Sequence, residues 1–73
     1  MSQTLLRAEF AAVVLKVTVA IGDQVQRDQE ILVLESMKTE IPITSPAAGR
    51  IVEIRVGEGD AVEERQPLVV LET

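Results

Sequence analysis

The sequence predicts an all-β domain in which two four-stranded sheets face each other as a flattened β-barrel or sandwich, related by an internal pseudo-twofold repeat. Three observations predict it. Eleven Val and six Ile among 73 residues branch at Cβ, which suits the pleated strand better than the helix. Apolar and polar positions alternate over short stretches separated by turn-forming glycine, proline and aspartate. Residues 12–36 also reappear, in modified form, as residues 49–73.

The elements follow in chain order. Val17-Thr18-Val19-Ala20-Ile21 alternates with the period of a half-buried strand, and Gly22-Asp23 closes it with turn chemistry. Gln24–Glu30 carries no apolar stripe but can coil through a turn or two of helix. Ile31–Leu34 is a continuous apolar run of four, the pattern of a strand buried on both faces. After Glu35-Ser36 the chain turns at Met37-Lys38 and enters a strand over Thr39–Thr44, where Ile41-Pro42-Ile43 alternates again. Pro46–Gly49 is a turn. Ile54-Arg55-Val56 alternates, Gly57-Glu58-Gly59-Asp60 turns, and Leu68–Leu71 is the second continuous apolar run. No segment sustains a 3.6-residue stripe long enough for a packed helix.

The repeat has an offset of 37. Val19, Gly22, Asp23, Val25, Gln29, Val33, Leu34 and Glu35 meet Val56, Gly59, Asp60, Val62, Gln66, Val70, Leu71 and Glu72, with apolar-for-apolar exchanges at several other positions. Two copies are too few for a stacked solenoid, which needs at least three, so the halves are expected to face each other across one core. The offset also fixes a geometry. The first copy ends at Ser36 and runs on through Met37-Lys38; the second ends at Thr73, where the chain stops. The gap between the termini is therefore the counterpart of the Met37-Lys38 turn, and the two are expected at opposite ends of the sandwich.

Composition narrows the function. Seven Lys+Arg against twelve Asp+Glu give a net charge of −5, and there is no Cys, His, Trp or Tyr. Disulfides, thiolate or imidazole metal sites and nucleophile–histidine catalysis are excluded by residue type. An acidic chain with Phe10 as its only aromatic residue lacks the clustered cations and stacking rings that bind nucleic acid. No apolar run approaches the ~20 residues of a membrane span, and no signal-peptide pattern opens the sequence. The expectation is one acidic, cytoplasmic domain over residues 1–73, monomeric in isolation and without catalytic machinery of its own.

The Met37-Lys38 turn breaks a local rule. Two-residue hairpin turns need positive φ at both central positions and favour Asn-Gly, Asp-Gly or Gly-x. A Lys held in the left-handed region costs ~1 kcal/mol, and an exposed Met leaves apolar surface in water. Where local sequence contradicts local structure, a functional site is expected. The bland alternative is an ordinary solvated lysine with Met37 tucked into the barrel end.

Glu35-Ser36-Met37-Lys38-Thr39-Glu40-Ile41 resembles the attachment hairpin of the biotinyl/lipoyl carrier domains. The resemblance covers essentially the whole chain. Gly22-Asp23-Gln24-Val25 and Gly59-Asp60-Ala61-Val62 match that family's repeated Gly-Asp-x-Val, and Ser45-Pro46-Ala47-Ala48-Gly49-Arg50-Ile51 matches its central small-residue stretch. Met before the lysine is the biotin signature of the family, whereas lipoyl domains usually have Asp there. Thr39 departs from the usual biotin pattern, which has Met after the lysine, and is also seen after lipoyl lysines. Ala8-Glu9-Phe10-Ala11-Ala12 replaces the usual Pro- and Gly-containing opening, and there is no thumb-like insertion or Ala/Pro-rich linker. The resemblance thus implies a barrel-sandwich hybrid fold and a free-standing biotin carboxyl carrier.

In that reading Lys38 carries biotin in amide linkage, framed by Ser36, Met37 and Thr39. A biotin protein ligase supplies the activated acyl group. The domain then serves biotin carboxylase and carboxyltransferase subunits of an acyl-CoA carboxylase, such as acetyl-CoA carboxylase, or of a related enzyme, and is not itself an enzyme. The cofactor holds the chemistry and the protein presents it. Glu35 and Glu40 flank Lys38 and are candidates for recognition by the ligase or a partner, against the plainer reading of solvated strand-end residues. A lipoyl carrier on the same architecture, and an unmodified barrel serving as an interaction module, are the alternatives. Gly57-x-Gly59 is read as a turn rather than a phosphate loop, with Asp23 and Asp60 holding their turns through side-chain-to-backbone hydrogen bonds.

Overall fold

The computed structural model describes residues 2–73, and among them it contains eight strands and no helix. The strands are β1 (Gln3–Arg7), β2 (Ala12–Val17), β3 (Gln24–Val25), β4 (Glu30–Ser36), β5 (Thr39–Thr44), β6 (Gly49–Ile54), β7 (Ala61–Val62) and β8 (Pro67–Glu72). They form two four-stranded antiparallel sheets, β5-β4-β2-β7 and β1-β8-β6-β3. The sheets do not close on each other, so the architecture is the expected sandwich with four edge strands. Pro42 lies on one of them, β5, where a missing N–H leaves no gap in an interior ladder.

The repeat is built into the hydrogen bonds. In each copy the aspartate of Gly-Asp-x-Val closes its own turn: Ala20 N donates to Asp23 Oδ2 at 2.9 Å and Gly57 N donates to Asp60 Oδ2 at 2.8 Å. Gly22 and Gly59 precede them with φ of 95° and 89°, which a side chain would oppose. Each turn then crosses to the other half's sheet. Gly22 N donates to Ile51 O and Ile51 N to Asp23 O; in the second copy Gly59 N donates to Val14 O and Val14 N to Asp60 O. Thus β3 of the first half joins β6, and β7 of the second half joins β2. Neither half can complete its sheet without the other.

The symmetry extends further than the aligned residues indicate. Ala8 N donates to Gln66 O and Ser45 N to Gln29 O, both at 2.9 Å, while Arg65 N and Asp28 N return bonds to Ala8 O and Ser45 O. Residues 2–8 are therefore the structural counterparts of residues 39–45, although the two segments share no identity at the offset of 37.

The core follows from the two apolar runs. Ile31, Leu32 and Leu34 on β4, and Leu68, Val69 and Leu71 on β8, are completely buried, with Val14 and Ile51 between the sheets. Both runs occupy inner strands of their sheets, and Val33 and Val70 are buried with the rest, so every side chain of each run is covered as expected. Ser45 is the buried polar side chain, and its Oγ donates to Ala47 O at 2.6 Å.

Three local expectations are corrected. Gln24–Glu30 does not coil as helix; it forms β3 and then a tight turn in which Gln29 N donates to Gln26 O and Gln26 N to Gln29 Oε1. The alternation at Val17–Ile21 is not one strand, because β2 ends at Val17 and Ile21 stands 64% exposed in the Gly-Asp turn. Likewise β6 ends at Ile54, although Val56 beyond it remains buried.

Ser2 N donates to Thr73 O and Thr73 N to Ser2 O, so the two ends of the described chain are paired. From there β8 leads back to Pro67, and the following turn leads to Ala61–Val62, beside Ala12–Val13 and thus beside Glu35. In a molecule measuring 36 × 18 × 17 Å, that path carries the chain from the paired termini at one pole to the β4–β5 hairpin at the other.

Candidate functional site

From Leu32 onward the β4–β5 ladder runs without interruption to its tip, with Glu35 opposite Glu40 and Ser36 opposite Thr39. Only Met37 and Lys38 remain to connect the strands. Their φ values of 51° and 66° are both left-handed, the pattern of a type I′ turn, whose twist matches that of the flanking strands. The strand register thus imposes a conformation that neither side chain favours. With only two residues between paired strands, the position of the Lys38 backbone is set by the ladder.

Met37 is 95% exposed, which excludes the reading in which it plugs the barrel end. Lys38 is exposed as well. Among the described residues its amine takes part in no side-chain hydrogen bond and no ion pair; the ion pair present joins Arg55 to Glu53 on β6 and the segment after it. The chain has one other lysine, Lys16, which is exposed one residue before the end of β2. Lys38 alone stands on a turn.

The remaining candidates gather around it. Ser36 and Glu35 are half-buried at the end of β4, while Thr39 and Glu40 are exposed at the start of β5. Glu35 and Glu40 face each other across an open hairpin, not within a cleft, so they cannot act as an enclosed acid–base couple. The surface hollows lie elsewhere: one at the terminal pole beside Arg50 and Glu72, the other between Leu5 and Pro42 on the two edge strands. Among the described residues no group of three carboxylates converges to hold a metal ion. A projecting, unpaired primary amine fits a carboxylic acid joined by an amide bond, and nothing around it would have to move.

One feature of the site is not apparent from its motif. Val13, on β2, lies directly opposite Glu35 and is 44% exposed. The repeat marks it, because the counterpart of Val13 is Arg50, a charged residue in an otherwise equivalent place.

The domain as a whole is similar to known proteins. The biotin/lipoyl family model, described as biotin-requiring enzyme, matches residues 7–71. A biotin/lipoyl attachment protein of Bacillus subtilis is 46% identical over 56 residues, 77% of each chain. The biotinylated protein TB7.3 homolog of Mycobacterium leprae is 38% identical over 66 residues, covering 90% of this chain and 93% of that one. Among solved structures, a single-chain, multi-domain long-chain acyl-CoA carboxylase contains a segment that superposes with a TM-score of 0.89 at 32% identity, covering 94% of this chain and 7% of that one.

Proposed function

The chain belongs to the biotin/lipoyl attachment family, and from that premise we propose that it is a biotin carboxyl carrier whose Lys38 receives biotin in amide linkage. The observation that carries the reading is the Lys38 amine itself, exposed and unpaired on a strained two-residue turn at the pole away from the termini. Met37 beside it matches the biotin signature, and the Mycobacterium leprae relative is named as biotinylated.

Each part of the hairpin has a task in this reading. Lys38 Nζ, as the free amine, forms the new C–N bond with the acyl group activated on a biotin protein ligase; the adenylate leaves and the ammonium protons pass to solvent. The rigid Ser36–Thr39 closure keeps the arm's origin fixed while the lysine methylenes swing. Ser36 and Thr39 flank the turn without obstructing it, and Glu35 with Glu40 offers a basic ligase or partner surface an acidic frame. Bound biotin supplies the site that carries a carboxyl group between biotin carboxylase and carboxyltransferase partners of an acyl-CoA or related carboxylase. Tethering raises its effective concentration at both. The domain acts as a cytoplasmic carrier, monomeric in isolation, not as a catalyst.

Thr39 after the lysine, together with the biotin/lipoyl name of the Bacillus subtilis relative, favours lipoate as the second reading. Intact mass after expression with biotin protein ligase and, separately, with lipoate ligase decides. A biotin increment supports the proposal, a lipoyl increment alone supports the second reading, and no increment with either leaves an unmodified interaction module.

A further inference from the structure

The near-twofold repeat provides an internal comparison for the Lys38 pole. At the terminal pole the row of residues across one sheet is Gln24–Arg50–Glu72–Gln3, in which Glu72 has an arginine on one neighbouring strand and an amide on the other. The equivalent row at the hairpin is Ala61–Val13–Glu35–Glu40. Here the corresponding carboxylate, Glu35, has a valine on one side and a second carboxylate on the other. Like charges directly opposite each other weaken a ladder. Among the described residues no cation lies within ion-pairing distance of either carboxylate, and Lys16 on the same strand as Val13 pairs instead with Val33 in the backbone register.

Three of the four exposed large apolar side chains lie toward the same pole, the fourth being Ile21 in the Gly22-Asp23 turn beside Ile51. Val13 is 44% exposed, and Leu15, the extra residue of the β2 bulge, is 38% exposed. Met37 adds a third apolar side chain at the tip. The sheet face beside Lys38 therefore joins solvent-facing aliphatic surface to an unrelieved pair of negative charges, while its symmetry mate carries Arg50. Local stability explains neither departure; a surface shaped for contact explains both.

We propose that Val13, Leu15, Glu35 and Glu40 form a docking strip for a protein surface in which an arginine or lysine projects beside apolar side chains, and that this surface belongs to the enzyme that uses the loaded carrier. The inference rests on acylation of Lys38. Charge selects the partner. Before acylation the segment Glu35–Glu40 holds two carboxylates and one ammonium, a net charge of −1; amide formation removes the ammonium and leaves −2. A basic surface thus binds the loaded domain more tightly than the unloaded one. That preference hinders a ligase, which must release its product, and serves an enzyme that must engage the loaded arm. The aliphatic residues on β2 fix the direction of approach, and the carboxylates set encounter rate and salt dependence.

The test uses the domain expressed with biotin protein ligase, each preparation checked by intact mass, and a biotin carboxylase subunit of an acyl-CoA carboxylase as the probe. Dissociation constants are measured at low and moderate salt for biotinylated and unmodified protein and for Glu35→Gln/Glu40→Gln, Val13→Ser and Arg50→Gln. The expected result is tighter binding of the biotinylated form and a loss of about tenfold in the double glutamine variant with a flatter salt dependence. Val13→Ser weakens binding severalfold with the salt dependence retained, and Arg50→Gln binds as wild type. The glutamine substitutions relieve a like-charge pair, so the fold is kept, as thermal melts would show. Equal binding of loaded and unloaded protein, or wild-type binding by the double glutamine and Val13→Ser variants, overturns the strip while the biotin increment still stands. Absence of any biotin increment on wild-type protein overturns the carrier reading first and the strip with it.

Discussion

Gly49 lies so close to Glu72 that a Cβ built on it would sit 2.5 Å from the Glu72 carbonyl oxygen. The contact joins the start of β6 to the end of β8 and anchors the terminal pole. The obstructing atom belongs to the backbone, so it cannot swing aside. Gly49→Ala should destabilise the domain by about 2 kcal/mol, the range of an overpacked core. Thermal denaturation should show a fall in Tm of about 10 °C for a chain of this size, while protein still folded at low temperature remains a substrate for modification at the distant hairpin.

Arg65 and Asp28 occupy the same place in the two copies, with φ of 69° and 70°. Each is the third residue of a turn closed by an i to i+3 hydrogen bond, where left-handed φ favours glycine. The carbonyl of Arg65 accepts from Arg7, and that bond survives a change of side chain. Arg65→Gly should therefore stabilise the fold by about 0.5–1 kcal/mol, and Asp28→Gly by less because Asp tolerates this region better. Urea titration of the two variants checks the sign and the order.

Replacing Met37-Lys38 by Asn-Gly installs residues that adopt positive φ readily. Stability should rise by about 1 kcal/mol or more while modification is lost. A variant less stable than wild type would show that the two side chains contribute to folding, contrary to their exposure.

Lys38→Arg should leave Tm within about 2 °C of wild type, since an exposed side chain without partners is being exchanged, and should abolish modification. Met37→Asp should weaken biotin transfer and open the turn to lipoate ligase. Biotinylation at the wild-type rate in Met37→Asp would remove Met37 as the determinant.

Much of this was legible in the residues because its causes are local. Gly-Asp-x-Val specifies a turn whose aspartate bonds its own backbone, and both copies do so. The runs Ile31–Leu34 and Leu68–Leu71 are buried because each gives an inner strand four consecutive apolar side chains. The pole-to-pole relation of Lys38 and the termini came from the repeat offset alone. The parts that were not legible are non-local. Residues 2–8 match 39–45 in hydrogen bonding but not in sequence, since an edge strand needs few specific side chains. The two-residue strands β3 and β7 exist only because the opposite half supplies their partners. Ile21 joined an alternating pattern, yet it is the second residue of the Ala20–Asp23 turn, which carries it into solvent.

The chain's two lysines make the most direct test. Lys16 is exposed on a strand and Lys38 on the strained turn, so solvent access alone does not separate them. Peptide mapping by tandem mass spectrometry, after treatment with biotin protein ligase, biotin and ATP, should place one biotin increment on Lys38 and none on Lys16. An increment on Lys16, or an unmodified Lys38 in correctly folded protein, would contradict the account.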